Sequence, residues 1–271
     1  MSHAIIVVPC HNEARRLNLR AIQDLGRRAG GAELLFVDDG SRDETPDLLA
    51  HLNHTNPQRF TWLRLATNSG KGEAVRQGVL AALGRTPDYV GFWDADLATP
   101  LSDIEGFCRV LDNRPSIDLV IGTRMRLLGH KIDRRPLRRA LGRVFATTAS
   151  LALSLRVYDT QCGAKLFRAT PQLALLFGQP FLTRWIFDVE LLARMKCARA
   201  ATGAAPLDQA VYEYPLDAWR DVAGSTVRSG DFGKATLEMA RIYWTYLRPG
   251  VRPPLRELPA QQPTRQGHQA A

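Results

Sequence analysis

Two carboxylates separated by one residue stand immediately after an apolar run in this sequence. The run Tyr89–Trp93 has the length and composition of a buried strand, and Asp94-Ala95-Asp96 follows it directly. Carboxylates with this spacing at a strand end can converge on one hard cation, and oxygen ligands favour Mg²⁺ or Mn²⁺. Such a cation would bridge the phosphates of a nucleotide. The alternative is a solvated turn that caps a helix, because this short motif also occurs by chance.

A second acidic pair, Asp38 and Asp39, follows the apolar run Glu33–Val37. A sharp turn is possible at Gly40, and Ser41 beyond it is a suitable helix N-cap. Capping does not explain the adjacent carboxylates, because two neighbouring negative charges repel unless each has a hydrogen-bond donor. Base N–H groups and ribose hydroxyls are donors of this kind, so the pair is a candidate nucleoside site.

Two further polar segments precede predicted helices. In Pro9–Glu13, Asn12 is a suitable N-cap; Glu13 either stabilises the positive end of the helix or accepts a hydrogen bond from ribose. In Asn68–Gly72, Lys71 lies in a glycine-flanked loop similar to a phosphate-binding loop, without the G-x-x-x-x-G-K-[ST] spacing. A surface lysine in a turn is an equally good interpretation of Lys71.

Basic residues are concentrated between Arg124 and Arg143, where Asp133 is the only acid. The run continues into a predicted helix, Leu137–Leu155, with apolar residues at helical spacing. The apolar stripe consists of Leu137, Leu141, Val144, Phe145, Thr148 and Ala152. This pattern is typical of a helix in a membrane interface, where each basic residue gains about 1 kcal/mol near anionic lipids. A core-facing helix with a solvated basic edge explains the same residues.

The elements that must position these residues alternate between short apolar runs and helical patterns. The predicted strands are Ala4–Val8, Glu33–Val37, Thr61–Ala66, Tyr89–Trp93 and Leu119–Ile121. Helices are predicted between them at Glu13–Ala29, from near Asp43, and at Gly72–Leu83. Strands separated by helices imply crossovers and an α/β fold with a mostly parallel sheet covered on both faces. Ligands bind beyond the carboxyl ends of such strands, where acidic residues follow three of them.

The rest of the chain adds a second amphipathic helix and a polar end. Asp231–Leu247 is the helix; the segment 248–271 contains five prolines, four glutamines and no aromatic residue, which predicts a disordered tail. A length of 271 residues suffices for one large α/β domain or two small ones.

Composition limits the possible partners and compartments. No segment has the roughly 20 apolar residues of a membrane span, and no signal-peptide pattern opens the chain, so we expect a cytoplasmic protein. The four cysteines lack paired spacing and are expected to be reduced thiols. With 36 basic and 27 acidic residues the net charge is +9, which favours an anionic partner such as nucleic acid, a membrane surface or phosphates.

The motifs resemble those of the inverting family 2 glycosyltransferases, which have the nucleotide-diphospho-sugar transferase (glycosyltransferase-A) fold. Within that family the chain is similar to the polyprenyl-phosphate (dolichyl-phosphate) β-glucosyltransferases over roughly Ala4–Leu247. The general motifs are V-P-C-H-N-E at Val8–Glu13, V-D-D-G-S-R-D-E-T at Val37–Thr45, N-S-G-K-G-E-A at Asn68–Ala74 and D-A-D-L-A-T-P at Asp94–Pro100. Further matches are G-T-R at Gly122–Arg124 and W-R-D-V-A-G-S-T at Trp219–Thr226. Two motifs are more specific to the glucosyl branch: D-T-Q-C-G-A-K-L-F at Asp159–Phe167 and R-W-I-F-D-V-E-L-L at Arg184–Leu192.

The resemblance implies roles for individual residues. The implied nucleotide-sugar site consists of Pro9, His11, Glu13, Asp38, Asp39, Lys71, Asp94 and Ala95. Asp94 and Asp96 would bind Mg²⁺ or Mn²⁺ and the donor diphosphate. The implied lipid-phosphate site consists of Arg124, Arg135, Arg139, Arg220 and Arg228, with Arg139 preferred to Arg135. Related mannosyl enzymes have a metal-binding glutamine where this chain has Ala98, so the metal is held more loosely or with water.

The activity implied is transfer of a hexose, glucose in the first instance, from a UDP-sugar to a polyprenyl phosphate with inversion. An ionised phosphate needs no strong base, whereas an acceptor hydroxyl would need a carboxylate. Asp188 is the candidate base, and a sugar-binding or structural role suits it equally well. The implied catalytic set is therefore Asp94, Asp96, Asp188 and Arg124.

Other functions remain as alternatives at this point. The enzyme could use another nucleotide sugar, such as GDP-mannose, or a soluble acceptor. A nucleotidylyltransferase would carry a glycine-rich, lysine-containing signature in its first turn, and this chain has none. A nucleic-acid-binding module would explain the charge but not the acids at three strand ends. We therefore expect one glycosyltransferase domain, 1–247, with membrane-interface helices at about 134–155 and 231–247. It would be peripheral at the cytoplasmic face of an anionic membrane and have no nucleic-acid partner.

Overall fold

The computed structural model of the chain describes residues 2–28, 31–125, 127–133, 136–220 and 231–251, with backbone alone at 136–141 and 231–232. Its strands are β1 Ala4–Cys10, β2 Glu33–Asp38, β3 Phe60–Arg64, β4 Tyr89–Trp93, β5 Leu119–Thr123, β6 Lys131–Asp133, β7 Ala164–Arg168, β8 Val211–Pro215 and β9 Ala218–Arg220. Within this part of the chain, seven strands form one sheet in the order β3-β2-β1-β4-β7-β5-β8. β6 and β9 pair in parallel as a small separate sheet.

Helices cover both faces of the large sheet. They are α1 Leu19–Arg27, α2 Thr45–Thr55, α3 Lys71–Leu83, α4 Asp103–Asn113, α5 Pro136–Leu153, α6 Pro171–Phe177, α7 Phe187–Thr202 and α8 Asp231–Ile242. A π-helical turn, Tyr243–Leu247, continues α8. Because side chains alternate along a strand, Ile5 and Val7 of β1 belong to the core formed with α3, α5, α6, α7 and α8, whereas Ile6 and Val8 belong to the core formed with α1, α2 and α4.

The predicted mostly parallel sheet is confirmed, with one antiparallel strand that the sequence did not indicate. β1 pairs in parallel with β2 and β4, and β2 with β3. β7 lies antiparallel between β4 and β5. Its sequence, A-K-L-F-R, interrupts the apolar run with Lys165, whose side chain is nevertheless fully buried. The partners that satisfy this lysine are carbonyl groups of the loop just before β7 and the carboxylate of Asp188 on α7.

The first helix begins at Leu19 rather than at the predicted Glu13, and its N-cap is Asn18 rather than Asn12. Asn12 has a φ of 54°, outside the helical region. The backbone N–H groups of Asn12 and Glu13 donate instead to the hydroxyls of Ser41 and Thr45, at 2.9 and 2.8 Å. The turn that carries Glu13 is therefore fixed by the loop after β2.

The two predicted amphipathic helices are present, but their apolar stripes are only partly exposed. On α8, the predicted stripe packs in the core through Ala235, Met239 and Ile242. On α5, Ala149 is buried and Val144 of the predicted stripe is exposed. None of the described helices combines the length and apolar character needed to cross a membrane. The predicted tail, 248–271, is described only as far as residue 251.

Candidate active site

The carboxyl ends of β1, β2 and β4 bring the predicted acidic residues together. Cys10, the last residue of β1, lies opposite Asp38 at the end of β2, and the carbonyl of Cys10 accepts a hydrogen bond from the Asp39 N–H at 2.8 Å. β4 lies on the other side of β1 and leads directly into Asp94. The predicted assembly of acids at three strand ends is therefore present in the fold.

Asp38 and Asp39 are both buried, and the protein supplies donors to each of them. Asp39 accepts hydrogen bonds from the Ser69 and Gly70 N–H groups at 2.7 and 2.8 Å. Asp38 accepts from the Ser41 N–H at 3.0 Å, and its second oxygen lies 3.1 Å from Nε of Arg64. The protein therefore satisfies both oxygens of Asp39 by itself, whereas Oδ2 of Asp38 is buried and, within the described part of the chain, has no hydrogen-bond partner. Asp39 holds the loop before α3 in place.

Three other predicted site residues lie at the same strand ends as these acids: Pro9, His11 and Ala95. Pro9 lies within β1 opposite Val37, so it is a fixed part of the sheet. Nδ1 of His11 lies 2.9 Å from the Asp39 carbonyl oxygen, which holds the imidazole beside the strand end. Ala95 is buried between the two aspartates of the D-A-D motif.

Glu13 and Asp96 share a cation that the sequence reasoning did not identify. The guanidinium of Arg16 lies 3.4 Å from a Glu13 carboxylate oxygen and 3.6 Å from one of Asp96. Burial raises the pKa of Glu13, although Arg16 acts in the opposite direction. Burial also raises the pKa of Asp96, and neighbouring Asp94 raises it further. Within the described part of the chain, Oε2 of Glu13 is buried without a hydrogen-bond partner.

Asp94 lies between Lys71 and Gly163. Nζ of Lys71, at the start of α3, is 2.5 Å from a carboxylate oxygen of Asp94. Burial alone would lower the pKa of Lys71, but the carboxylates of Asp94 and Asp188 raise it overall. The Asp94 N–H donates to the Gly163 carbonyl at 3.0 Å, and a Cβ at position 163 would lie 1.9 Å from an Asp94 oxygen. Only glycine fits between this backbone and the carboxylate.

Asp188 lies at the start of α7 and is paired with a buried lysine. Nζ of Lys165 lies 2.5 Å from Oδ1 of Asp188 and also donates to the carbonyls of Thr160 and Cys162 at 3.0 and 2.8 Å. The ammonium thus ties α7 to the D-T-Q-C-G loop, 159–163. A carboxylate held in this way is better suited to positioning than to accepting a proton.

Arg124 is held by Asp159 in a two-point ion pair. Nε and Nη2 of Arg124 donate to the two Asp159 oxygens at 2.6 and 2.7 Å. The guanidinium also lies 5.2 Å from the ring centre of Trp219. Although burial disfavours its charge, Asp159 holds the pKa of Arg124 above its usual value. Its orientation is therefore fixed before any phosphate binds.

The other predicted phosphate-binding arginines are less well defined. Arg220 is exposed at the end of β9, and its N–H donates to the Ala98 carbonyl at 3.3 Å, which places it beside the D-A-D turn. Arg139 lies on α5, with its side chain outside the described part. Arg135 and Arg228 lie outside the described residues altogether.

The acidic groups fit a hard divalent cation only in part. Among the residues that the structure describes, no group of three or more His, Cys, Asp or Glu is arranged to hold an ion. Asp94 and Asp96 offer carboxylate oxygens, and Mg²⁺ is commonly held by one or two carboxylates together with water and substrate phosphates. The donor set therefore suits Mg²⁺ or Mn²⁺ when a diphosphate completes the coordination.

An α/β fold with acids at three strand ends is suited to binding a nucleotide beyond those ends, and comparison with known proteins gives its family. The family model described as glycosyl transferase family 2 matches residues 5–171, and the chain belongs to this family. It is therefore a glycosyltransferase.

Individual relatives show which members of the family the chain is similar to. The dolichyl-phosphate beta-glucosyltransferase of Saccharomyces cerevisiae is 32% identical over 264 residues, which cover 89% of this chain and 74% of that protein. The protein of the same name from Trichomonas vaginalis is 29% identical over 92% of this chain and 73% of its own. The human protein is 32% identical over 69% of this chain and 61% of its own.

The solved structures that match support the fold. Glucosyl-3-phosphoglycerate synthase from Mycobacterium tuberculosis, in complex with Mn²⁺, UDP and glucosyl-3-phosphoglycerate, superimposes with a TM-score of 0.61 at 19% identity. The match covers 91% of this chain and 80% of that one. The glycosyltransferase-A fold predicted from the sequence is therefore confirmed.

Proposed function

We propose that this enzyme transfers glucose from UDP-glucose to a polyprenyl phosphate with inversion at the anomeric carbon. The observation that carries the proposal is the D-T-Q-C-G loop: Gly163 packs against Asp94, and Asp159 holds Arg124. This loop joins the donor side of the site to the acceptor side, and its motif is one of those shared with the β-glucosyltransferases. The names of the relatives support the same substrates.

The nucleoside would bind between the ends of β1 and β2. The unpartnered buried oxygen of Glu13 is an acceptor suited to a ribose hydroxyl, and the unpartnered buried Oδ2 of Asp38 is an acceptor suited to a base N–H. Asp39 contributes indirectly, because its carboxylate is occupied by the loop that carries Lys71. The diphosphate would then extend toward Lys71 and Asp94.

A divalent cation bound by Asp94 and Asp96 would supply positive charge to the leaving diphosphate. Lys71 and Arg16 lie beside these carboxylates and add positive charge at the same place. Charge placed in advance where negative charge develops is commonly the largest contribution to catalysis.

The acceptor phosphate needs orientation more than activation. Because it is ionised at neutral pH, its oxygen can attack the anomeric carbon from the face opposite UDP without a strong base. Arg124, fixed by Asp159, would orient that phosphate, with Arg139 and Arg220 as further candidates. Asp188, paired with Lys165, would position the sugar.

We propose that the enzyme reaches its lipid substrate by peripheral attachment to an anionic membrane, at the cytoplasmic face. α5 packs against the π-helical turn that follows α8. These neighbouring elements expose the apolar side chains of Val144, Leu151, Leu237 and Trp244. Arg248 lies 5.6 Å from the Trp244 ring, so basic and apolar groups share this face, as in interfacial helices.

Vesicle sedimentation tests the attachment. Trp244→Glu combined with Leu151→Glu should release the protein from vesicles that contain anionic lipid, and high salt should release the wild type. His54→Glu, on α2 at the opposite face of the sheet, is the matched control. Undiminished sedimentation of the double variant would place the attachment elsewhere.

The substrates are tested with a panel of UDP- and GDP-sugars and a short polyprenyl phosphate, with mass spectrometry of the lipid fraction. We expect a single product, the polyprenyl glucosyl phosphate, made from UDP-glucose with Mg²⁺ or Mn²⁺. Phosphoglycerate serves as the soluble acceptor control. Transfer to phosphoglycerate alone, or from GDP-mannose alone, would contradict the proposal, as would DNA binding without nucleotide-sugar binding.

A further inference from the structure

Both carboxylates of the D-A-D motif are already paired with cations of the protein itself. Lys71 lies 2.5 Å from Asp94, and Arg16 lies 3.6 Å from Asp96. A Mg²⁺ ion would need carboxylate oxygens at about 2.1 Å, and Nζ of Lys71 already occupies one of the two oxygens of Asp94, Oδ1. The ammonium and the metal ion compete for the same carboxylate.

The position of Lys71 is imposed by its loop. Asp39 binds the N–H groups of the two preceding residues, and Gly70, the N-cap of α3, has a φ of 94° that favours glycine. Arg184 packs against Gly70 and donates to the Asn68 side chain at 2.8 Å. The backbone at Lys71 is therefore fixed, and only its four-carbon side chain is free to move.

The Lys71–Asp94 pair can separate without leaving an unpaired charge in the protein interior. The two side chains are 40% and 36% exposed, whereas those of the neighbouring Lys165–Asp188 pair are 0% and 6% exposed. Water can therefore solvate the Lys71 ammonium as it leaves Asp94, which is not possible for Lys165. The polyanion that would attract the ammonium is the diphosphate of the donor.

We propose that Lys71 is an exchangeable occupant of the metal site, and that it moves from Asp94 to the donor diphosphate when nucleotide and metal bind together. This inference rests on the proposed UDP-sugar donor and its metal ion. Without nucleotide, Lys71 keeps the metal affinity low. With nucleotide, the diphosphate takes the ammonium, frees Asp94 and supplies the missing ligands. Metal and nucleotide then bind with a positive coupling that depends partly on Lys71.

The test measures Mn²⁺ binding by the electron paramagnetic resonance signal of free Mn²⁺, at constant pH and ionic strength, with and without UDP. Lys71→Met should bind Mn²⁺ alone about tenfold more tightly than the wild type, a coupling of ordinary size. With saturating UDP the two proteins should bind Mn²⁺ equally, because Lys71 has by then left Asp94 in the wild type. Lys71→Met should also bind metal-free UDP more weakly.

Two control variants distinguish the exchange of Lys71 between Asp94 and the diphosphate from a general effect of removing one positive charge. Lys131→Met removes an exposed lysine on β6 and should leave Mn²⁺ affinity unchanged. Lys71→Arg keeps the cation and should bind Mn²⁺ alone as weakly as the wild type. Circular dichroism verifies that each variant is folded.

The outcomes distinguish this proposal from the proposed function. If Lys71→Met binds Mn²⁺ alone no more tightly than the wild type, or if Lys131→Met shows the same gain, exchange is refuted while the donor proposal stands. If the wild type fails to bind UDP even with Mn²⁺, the proposed donor is wrong. A wild type that binds neither Mn²⁺ nor UDP, alone or together, refutes both.

Discussion

Replacing Gly163 with alanine should disable the site while leaving the fold in place. The added Cβ would lie 1.9, 2.1 and 2.5 Å from Oδ2, Cγ and Oδ1 of Asp94. Real Cβ contacts are essentially never shorter than 3.0 Å, so the carboxylate must move by about 1 Å. The displaced group is the end of a side chain, and the strain should cost roughly 1–3 kcal/mol of stability.

The loss of activity should be much larger than the loss of stability. A displacement of about 1 Å of a catalytic group can reduce the rate about 100-fold. Asp94 would move relative to Lys71 and to the diphosphate that it helps to bind. We therefore expect transfer from UDP-glucose to a short polyprenyl phosphate to fall about 100-fold, with urea unfolding still cooperative.

The matched control is Gly84→Ala, at the other end of α3, about 20 Å along the helix from Lys71. Gly84 has a φ of −63°, and the nearest atom to an added Cβ is 3.4 Å away, which is an ordinary contact. This variant should keep wild-type activity. If Gly163→Ala retains activity within twofold of the wild type, the packing of the 159–163 loop against Asp94 does not position the catalytic carboxylate.

Three further changes test other parts of the site and the fold. Asp96→Ala should reduce transfer at least 100-fold with unchanged thermal unfolding, and excess EDTA should do the same to the wild type; full activity in EDTA would refute the metal role. Lys165→Met should lower the free energy of unfolding in urea by about 3–5 kcal/mol, because it leaves Asp188 buried and unpaired, and Lys165→Met with Asp188→Leu should recover part of that loss. Burial raises the pKa of Asp103 to about 6, and its Oδ2 has no hydrogen-bond partner in the described part of the chain. Because the folded state then binds a proton that the unfolded state releases near pH 4, stability should fall as the pH rises from about 4 to 6. Asp103→Asn should therefore raise the free energy of unfolding at pH 7.5 by about 1–3 kcal/mol, with little effect at pH 4.

The sheet could be predicted wherever a strand is an uninterrupted apolar run. β1, β2, β4 and β5 are buried on both faces and contain such runs, so their positions follow from the sequence. β7 does not, because Lys165 lies within it and is satisfied by carbonyl groups of the preceding loop and by Asp188. A pattern based on hydrophobicity cannot show that a lysine will be fully buried.

The acids of the site could be predicted for a related reason. They follow the apolar runs directly, so locating a strand end also locates its acid. Their partners could not be predicted in the same way. Arg16 lies in a segment that has a helical pattern but forms a turn, and its contact with Asp96 depends on the fold bringing β1 and β4 side by side. The role of Gly163 depends on the distance between its backbone and the Asp94 carboxylate, for which the sequence has no signal beyond the motif itself.

The two lysine–aspartate pairs of the site differ in the free energy needed to separate them. This difference explains how one lysine can change partners while the surrounding structure stays fixed. Lys165 and Asp188 are almost wholly buried, and breaking such a pair costs about 3–5 kcal/mol, so α7 and the 159–163 loop stay together through the reaction. Lys71 and Asp94 are more than one third exposed, and such pairs contribute about 0–1 kcal/mol. An arriving diphosphate can therefore take Lys71 from Asp94 at little cost. The carboxylates stay where the sheet places them, and the positive charge is redistributed around them.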